Sequence, residues 1–302
     1  EAKQALDEKL EEEQRLLERL EAVKREISSL QSTVHDIRQA PVNDPEANQA
    51  RIRCYSLEEI AHMRPEQQLN LLREELAAHH DFATHKFDEE RAYIDRFVDA
   101  NPEYEKGEGS RNDLTAARIY TRVEIHSRFN DCLRKTDQPN KPPHEWKSMY
   151  HHLNNAVRDV DGVPGGTKLF RGQPEFYDDP SNEDAQVGQI VVWKDFKSTS
   201  RSRRVATSSF ARGGSGVLFE IETRKVGNFG ADLCTPAPHA GAISVFPGED
   251  EILLPPGATF EVTGRRKEGR LTVVSLQYKG EWAELEAGGD PTTSLLLEAE
   301  HA

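Results

Sequence analysis

Three stretches of the chain hold residue types that could act on a substrate. Leu169-Phe170-Arg171-Gly172 ends an apolar run on an arginine beside a glycine. A guanidinium is always charged and fork-shaped, which suits phosphate or carboxylate recognition. Arg171 also reads as an ordinary strand-end charge. Phe196-Lys197-Ser198-Thr199-Ser200 offers three successive hydroxyls, able to orient another polar group or to form a plain polar strand edge. Phe246-Pro247-Gly248-Glu249-Asp250-Glu251 carries two glutamates two positions apart. In an extended backbone such residues share a face, so Glu249 and Glu251 would reach one site while Asp250 points away. The alternative there is a solvated acidic turn.

Other chemistries find no support. Gly213-Gly214-Ser215-Gly216 is not followed by Gly-Lys-Ser/Thr, so it is not a nucleotide phosphate loop, and no GxGxxG follows a strand. His79, His80 and His85 lack a ligand spacing such as HExxH and read as solvated helix-face residues, so no metal is expected. The formal net charge of −14 argues against binding a nucleic-acid backbone, which needs clustered Lys and Arg. Cys54, Cys132 and Cys234 are too few and too scattered for a disulfide framework. Cys132 reads as a core cysteine. A reducing compartment follows, either the cytoplasm or a host cytoplasm after delivery, in preference to a disulfide-bonded extracellular setting. No run of 18 apolar residues occurs, so no membrane span is expected, and no signal peptide is visible.

Taken jointly and in this order, Arg171, Ser198-Thr199-Ser200 and Phe246 to Glu251 resemble the R-S-E class of ADP-ribosyltransferases. This is the cholera-toxin-like superfamily, marked by an arginine on the first core strand, a Ser-Thr-Ser strand and an aromatic-x-x-Glu-x-Glu turn. The separations of 27 residues from Arg171 to Ser198 and 53 from Ser198 to Glu251 fit the family. The continuation Ile252-Leu253-Leu254-Pro255-Pro256 is similar to that of arginine-specific members. The resemblance covers roughly residues 113–280.

What the resemblance implies is specific. NAD is the co-substrate, and ADP-ribose passes to an accessible arginine of a target protein with release of nicotinamide. Arg171 holds the phosphates, and Gly172 lets the backbone approach the nicotinamide amide. Glu251 accepts the ribose 2′-hydroxyl and stabilises positive charge at the ribose carbon, with Ser198 orienting it. Thr199 and Ser200 support the strand and the nicotinamide pocket. Glu249 positions and deprotonates the acceptor guanidinium, and Phe246 recognises the protein substrate. Arg212 is a candidate second phosphate-binding arginine, with Arg201, Arg203 and Arg204 as rivals. Two other readings stay open: an NAD glycohydrolase using water, and a coiled-coil scaffold carrying an inactive transferase-like domain.

Elements must position these residues. Leu16, Leu20, Val23, Ile27, Leu30, Val34 and Ile37 are spaced alternately by four and three, a heptad seam that predicts self-association of residues 1–39 as a coiled coil. An amphipathic helix docked on its own domain is the alternative. Pro41 and Pro45 mark residues 40–56 as a linker. Periodicity predicts a helical region at 57–112, with Leu69, Leu72 and Leu76 along one face. Further helices are expected over 113–135, with Ile119, Val123 and Phe129 inward, and over 144–160, with Trp146, Tyr150, Leu153 and Val157 inward. The period then turns to alternation, with strands at 167–171, 189–193, 196–200, 217–222, 251–254, 259–266 and 271–278. Helices first and strands later predict an α+β fold with a mainly antiparallel β-sandwich core. A catalytic domain would occupy residues 113–285, followed by a loose tail at 286–302.

Overall fold

Among the described residues, prolines and polar junctions cut the stretch 57–159 into six α-helices. In a computed structural model these are α1 Leu57–Ala61, α2 Pro65–His80, α3 Thr84–Ala100, α4 Ser110–Tyr120, α5 Val123–Arg134 and α6 Lys147–Asp159. The structure describes residues 55–282 except 81, 140, 175–185, 212, 225–226, 236 and 238–240, together with residues 15, 19, 23, 24 and 27. The chain divides into two compact units, Glu1–Ser56 and Leu57–Ala302. In the first, Arg15, Arg19, Val23, Lys24 and Ile27 are helical and Tyr55 and Ser56 are not, and Val23 and Ile27 are each 50% exposed. The remaining seam residues, the linker up to residue 54 and the tail lie outside the described residues.

The helical region expected over 57–112 divides into α1, α2 and α3, with α4 beginning at Ser110. Pro65 opens α2, where its missing N–H leaves no bond unmade. The helix expected over 113–135 breaks at Thr121 and Arg122, which resets the period. Ile119 and Phe129 are fully buried, but Val123 becomes the first residue of α5 and is 62% exposed rather than core. Cys132 is only partly buried against the helical core, whereas Cys234 is buried. Helix α6 buries Tyr150, Leu153 and Val157, with Trp146 beneath its start. The buried carboxylate of Glu75 in α2 accepts the N–H groups of Ser148 and Met149 at 2.9 and 2.8 Å, satisfying donors that α6 cannot satisfy itself.

The sheet follows the alternating stretches. Its strands are β2 Lys168–Gln173, β3 Ile190–Trp193, β4 Lys197–Ser200, β5 Val217–Glu222, β7 Ala231–Asp232, β8 Glu251–Leu254, β9 Ala258–Glu268 and β10 Leu271–Glu281. Short strands β1 Val163–Pro164 and β6 Asn228–Phe229 pair separately. The order is β3-β9-β10-β5-β2-β4-β8-β7, antiparallel except for β10 beside β5. The fold is therefore mixed α/β around a multi-strand sheet.

One joint in that sheet matters. Strands β2 and β4 share a single residue pair, Phe170 with Ser200. Residues on either side of this joint bury together: Ile252 and Leu254 of β8 join Leu169, Trp193, Phe219 and Val274. Leu253, on the other face of β8, packs with Phe196 against Leu72, Ile94, Phe129 and Leu153 of the helices. Helices α2 and α3 thus belong to the same core as α4 to α6, and residues 57–112 pack as part of the second unit.

Candidate active site

A cavity of about 370 Å³ opens at the β2–β4 joint, within the size range of small-molecule sites. Arg171 and Gly172 of β2, Ser198, Thr199 and Ser200 of β4, and Phe246, Glu249 and Glu251 all line it. Strand pairing explains the meeting. Ladder pairs set Ser198 opposite Leu253 and Ser200 opposite Glu251, so the start of β8 lies beside the hydroxyls of β4.

Glu251 is buried, and burial pushes its carboxyl up to about 7. A hydrogen bond from the Ser198 hydroxyl and the charge of Arg171 oppose that shift, while the nearby Glu249 reinforces it. Glu249 is half-buried, and its carboxyl is likewise raised by loss of water. Among the described residues, no cation forms an ion pair with either glutamate.

The two glutamates share the cavity for a reason other than strand alternation. Pro247–Glu249 form a 3₁₀ turn, and Asp250 takes a left-handed conformation with φ 51° before β8 begins. An aspartate tolerates that region better than most side chains. The reversal sends Asp250 toward Arg201, 3.7 Å from its guanidinium, while Glu249 stays over the cavity. Ser200 fixes this turn: its hydroxyl donates to the main-chain carbonyl of Glu249 at 2.8 Å and accepts the N–H of Ser202 at 3.1 Å. Thr199 donates to the carbonyl of Ile252 at 2.6 Å, a bond that ties β4 to β8.

Arg171 donates through Nη1 to the carbonyl of Ser198 at 2.7 Å, and among the described residues its buried Nε has no hydrogen-bond partner. That leaves donor capacity in the cavity for an anion. Gly172 is needed for packing: a Cβ there would stand 1.9 Å from the carbonyl oxygen of Ala206. The chain at Ala206–Phe210 forms a π-type turn against β2, bringing Ser209 and Phe210 to the cavity wall. Arg212 lies outside the described residues. Of its rivals, Arg201 is paired with Asp232, and Arg203 with Glu220 and Glu268; neither these nor Arg204 line the cavity. Phe246 stands at the rim, 44% exposed.

The chain matches known proteins. A family model for NAD:arginine ADP-ribosyltransferase matches residues 56–283. The chain belongs to the NAD:arginine ADP-ribosyltransferase family. Within this family it is 31% identical over 136 residues to ecto-ADP-ribosyltransferase 5 of Rattus norvegicus, covering 43% of this chain and 38% of the relative. The corresponding protein of Homo sapiens is 30% identical over 136 residues, covering 43% and 40%. The alignment thus spans about two-fifths of the length of these curated relatives. Among solved structures, the eukaryotic mono-ADP-ribosyltransferase ART2.2 matches with TM-score 0.50 at 21% identity, over 72% of this chain and 87% of that one. HopU1 of Pseudomonas syringae pv. Tomato DC3000 matches with TM-score 0.50 at 18% identity, over 64% and 87%. Both likenesses concern the fold.

This ADP-ribosyltransferase-family chain also brings helix residues to the cavity that motif spacing does not reveal: Tyr120, His126, Asn130 and Arg134. Asn130 donates to the Tyr120 hydroxyl at 2.9 Å, and Tyr120 donates to the carbonyl of Phe196 at 3.2 Å, with Ser198 also in reach. Burial, and then the charge of Glu251, raise the Tyr120 phenol. Burial lowers His126, with Arg171 adding to the effect. Arg134 pairs with buried Asp195 at 2.6 Å. Among the described residues, no group of three or more His, Cys, Asp or Glu side chains is placed to hold a metal ion.

Proposed function

We propose that this chain transfers ADP-ribose from NAD to arginine side chains of a target protein and releases nicotinamide. The observation that carries this reading is the meeting of Arg171, Ser198-bound Glu251 and Glu249 in one cavity. Arg171 binds the pyrophosphate through donors not used by Ser198. Glu251, ionised and held by Ser198, accepts the ribose 2′-hydroxyl and stabilises the cation that develops as the nicotinamide–ribose bond breaks. Nicotinamide leaves with the bonding electron pair. Glu249 lies nearer solvent, where an incoming guanidinium would arrive. It aligns that group and takes the proton lost as its nitrogen bonds the ribose carbon. Phe246 at the rim meets the acceptor protein.

The same site supports NAD hydrolysis as a slower side reaction, with water in the acceptor's place. The β2–β4 joint and the shared burial of Ile252 and Leu254 with Leu169 support a sandwich of two strand layers, open at the site. The heptad seam, with helical and half-exposed Val23 and Ile27, supports self-association through residues 1–39.

Labelled NAD incubated with the full chain and a cell lysate tests the transfer. The expected result is label on protein that is released by neutral hydroxylamine, as an arginine linkage is. Nicotinamide release with no protein-bound label would replace transfer by hydrolysis.

A further inference from the structure

The turn that carries Phe246 and Glu249 has to be held somewhere, and its approach is nailed to the helices. Tyr93 of α3 donates its hydroxyl to the carbonyl of Ala242 at 2.9 Å. Arg118 of α4 donates through Nη1 to the carbonyl of Ile243 at 2.9 Å, with those of Ala242 and Ser244 at 3.5 Å. Thr121 then accepts the N–H of Val245 at 3.1 Å, and Ser244 accepts that of Phe246 at 3.0 Å. Successive backbone groups from Ala242 to Phe246 are thereby fixed, and Glu249 follows three residues later.

Arg118 is itself held on two other sides. Its Nε pairs with Glu90 of α3, which also pairs with Arg122, and the Glu90 side chain is only 4% exposed. Its guanidinium lies 3.5 Å from the centre of the Tyr93 ring. Gly241 closes the arrangement: its φ is +51°, and a Cβ there would stand 2.4 Å from the Tyr93 hydroxyl. A guanidinium can present one edge to a carboxylate, another to a carbonyl and a flat face to an aromatic ring at once.

Glu251 meets the clamped segment only indirectly, through Leu233, whose N–H donates to the Glu251 carbonyl and whose carbonyl accepts the N–H of Ser244. It is anchored through the β4–β8 ladder and by Ser198. Both glutamates are tied to β4, Glu251 by the ladder and Ser198, and the Glu249 carbonyl by Ser200. The approach to Glu249 is bonded directly to helices α3 and α4 as well.

We propose that Arg118, supported by Glu90 and Tyr93, is a positioning residue for the acceptor turn, and that it governs transfer to arginine without governing cleavage of NAD. This rests on the transferase reading above. Because Arg122 still pairs with Glu90, replacing Arg118 leaves no buried carboxylate unpaired.

The test compares Arg118→Lys, Arg118→Ala and Tyr93→Phe in the full chain. Nicotinamide release without acceptor is measured beside transfer to agmatine, a free alkyl guanidine, with thermal melting as the control. Arg118→Ala should lower kcat/KM for agmatine about ten-fold or more, since small misplacements of a reacting partner are expensive. Arg118→Lys should recover part of it, and Tyr93→Phe, which loses one hydrogen bond, should lower it about three-fold. Hydrolysis should stay within about two-fold of the parent, consistent with Glu251 being untouched. Equal losses in both reactions, or no loss of transfer, would overturn the proposal. A parent chain that cleaves NAD but modifies neither agmatine nor protein would overturn the transferase reading, and the clamp's role in it.

Discussion

The guanidinium of Arg171 and the main-chain carbonyl of Ser198 are 2.7 Å apart, bonded across the place where β2 and β4 share only one ladder pair. The bond gives Arg171 two duties. It closes a joint that the backbone leaves nearly open, and it fixes the strand whose Ser198 side chain holds Glu251. On the proposed reading, phosphate binding by Arg171 and the positioning of Glu251 against the ribose are mechanically linked.

Replacement of Arg171 should therefore affect more than affinity. Arg171→Ala should weaken NAD binding by ten-fold or more, on the order of the loss for a charge-assisted hydrogen bond. It should also slow cleavage of bound NAD, because β4 loses its tie to β2. Arg171→Lys should restore affinity only in part, since an ammonium lacks the two-pronged geometry. Calorimetric titration with NAD and single-turnover cleavage measure the two effects separately. Unchanged affinity in the alanine variant would remove the phosphate role.

Glu251 makes a pH-dependent prediction. Its carboxyl sits at about 7 in the fold, above the ordinary 4.5. Cleavage needs the ionised form, so kcat/KM for NAD should rise with pH through about 7 and then level. Stability moves the other way. Between about 4.5 and 7 the folded state holds a proton that the unfolded state has lost, so this group's contribution falls as pH rises through that window. Glu251→Gln should thus gain stability relative to the parent between pH 5 and pH 8, on the order of 3 kcal/mol if the full shift is expressed. It should lose roughly 10²–10³ in cleavage. Urea unfolding at the two pH values and a pH–rate profile decide it. A parent whose stability relative to Glu251→Gln is the same at both values would contradict the raised carboxyl.

How far the sequence could be read depends on whether its signals are local. Strand β8 is legible because four apolar or paired residues run together between a turn and a Pro-Pro stop, and β5 because its alternation is clean. The approach of Glu249 is not, since the left-handed Asp250 is a choice of one backbone angle that the residue type permits without requiring. Helix periodicity separates core from surface, and so it marks Ile119 and Phe129 correctly. It gives no account of Tyr120 and Asn130, whose hydroxyl and amide meet each other and the Phe196 carbonyl far along the chain. Gly172 is legible as a close approach but not as to what: the neighbour is the Ala206 backbone. Val123 reads as core because the junction at Thr121 and Arg122 carries no glycine or proline to announce it.

Glu249→Ala should separate the two reactions that Glu251→Gln abolishes together. Glu249 is half-buried at the turn, and no strand pair holds it. On the proposed reading its loss removes the base for an incoming guanidinium but leaves Ser198 and Glu251 in place. Its charge also pushes the Glu251 carboxyl up, so removing it should lower the pH at which hydrolysis reaches half its plateau. Transfer to agmatine should fall at least a hundred-fold, within the range for loss of a general base, while NAD hydrolysis persists. Parallel assays with and without agmatine measure this, and an equal fall in both would contradict separate roles.

The heptad seam yields the last expectation. Ile27 and Val34 at a, with Leu16 and Leu30 at d, favour a parallel two-stranded coiled coil, while Val23 and Ile37 at d weaken that preference toward a trimer. Val23 and Ile27 are helical and half-exposed, as seam residues are before a partner covers them. Every residue assigned a part in the chemistry lies in the unit that begins at Leu57. Deleting residues 1–40 should therefore reduce the mass seen by light scattering to that of a monomer and leave NAD hydrolysis within about two-fold of the parent, because the transition-state contacts are all retained. A full chain that already runs as a monomer at tens of micromolar, on the order of concentrations where short coiled coils associate, would defeat self-association. The seam would then be a helix docked on its own chain, and the deletion should instead lower the melting temperature.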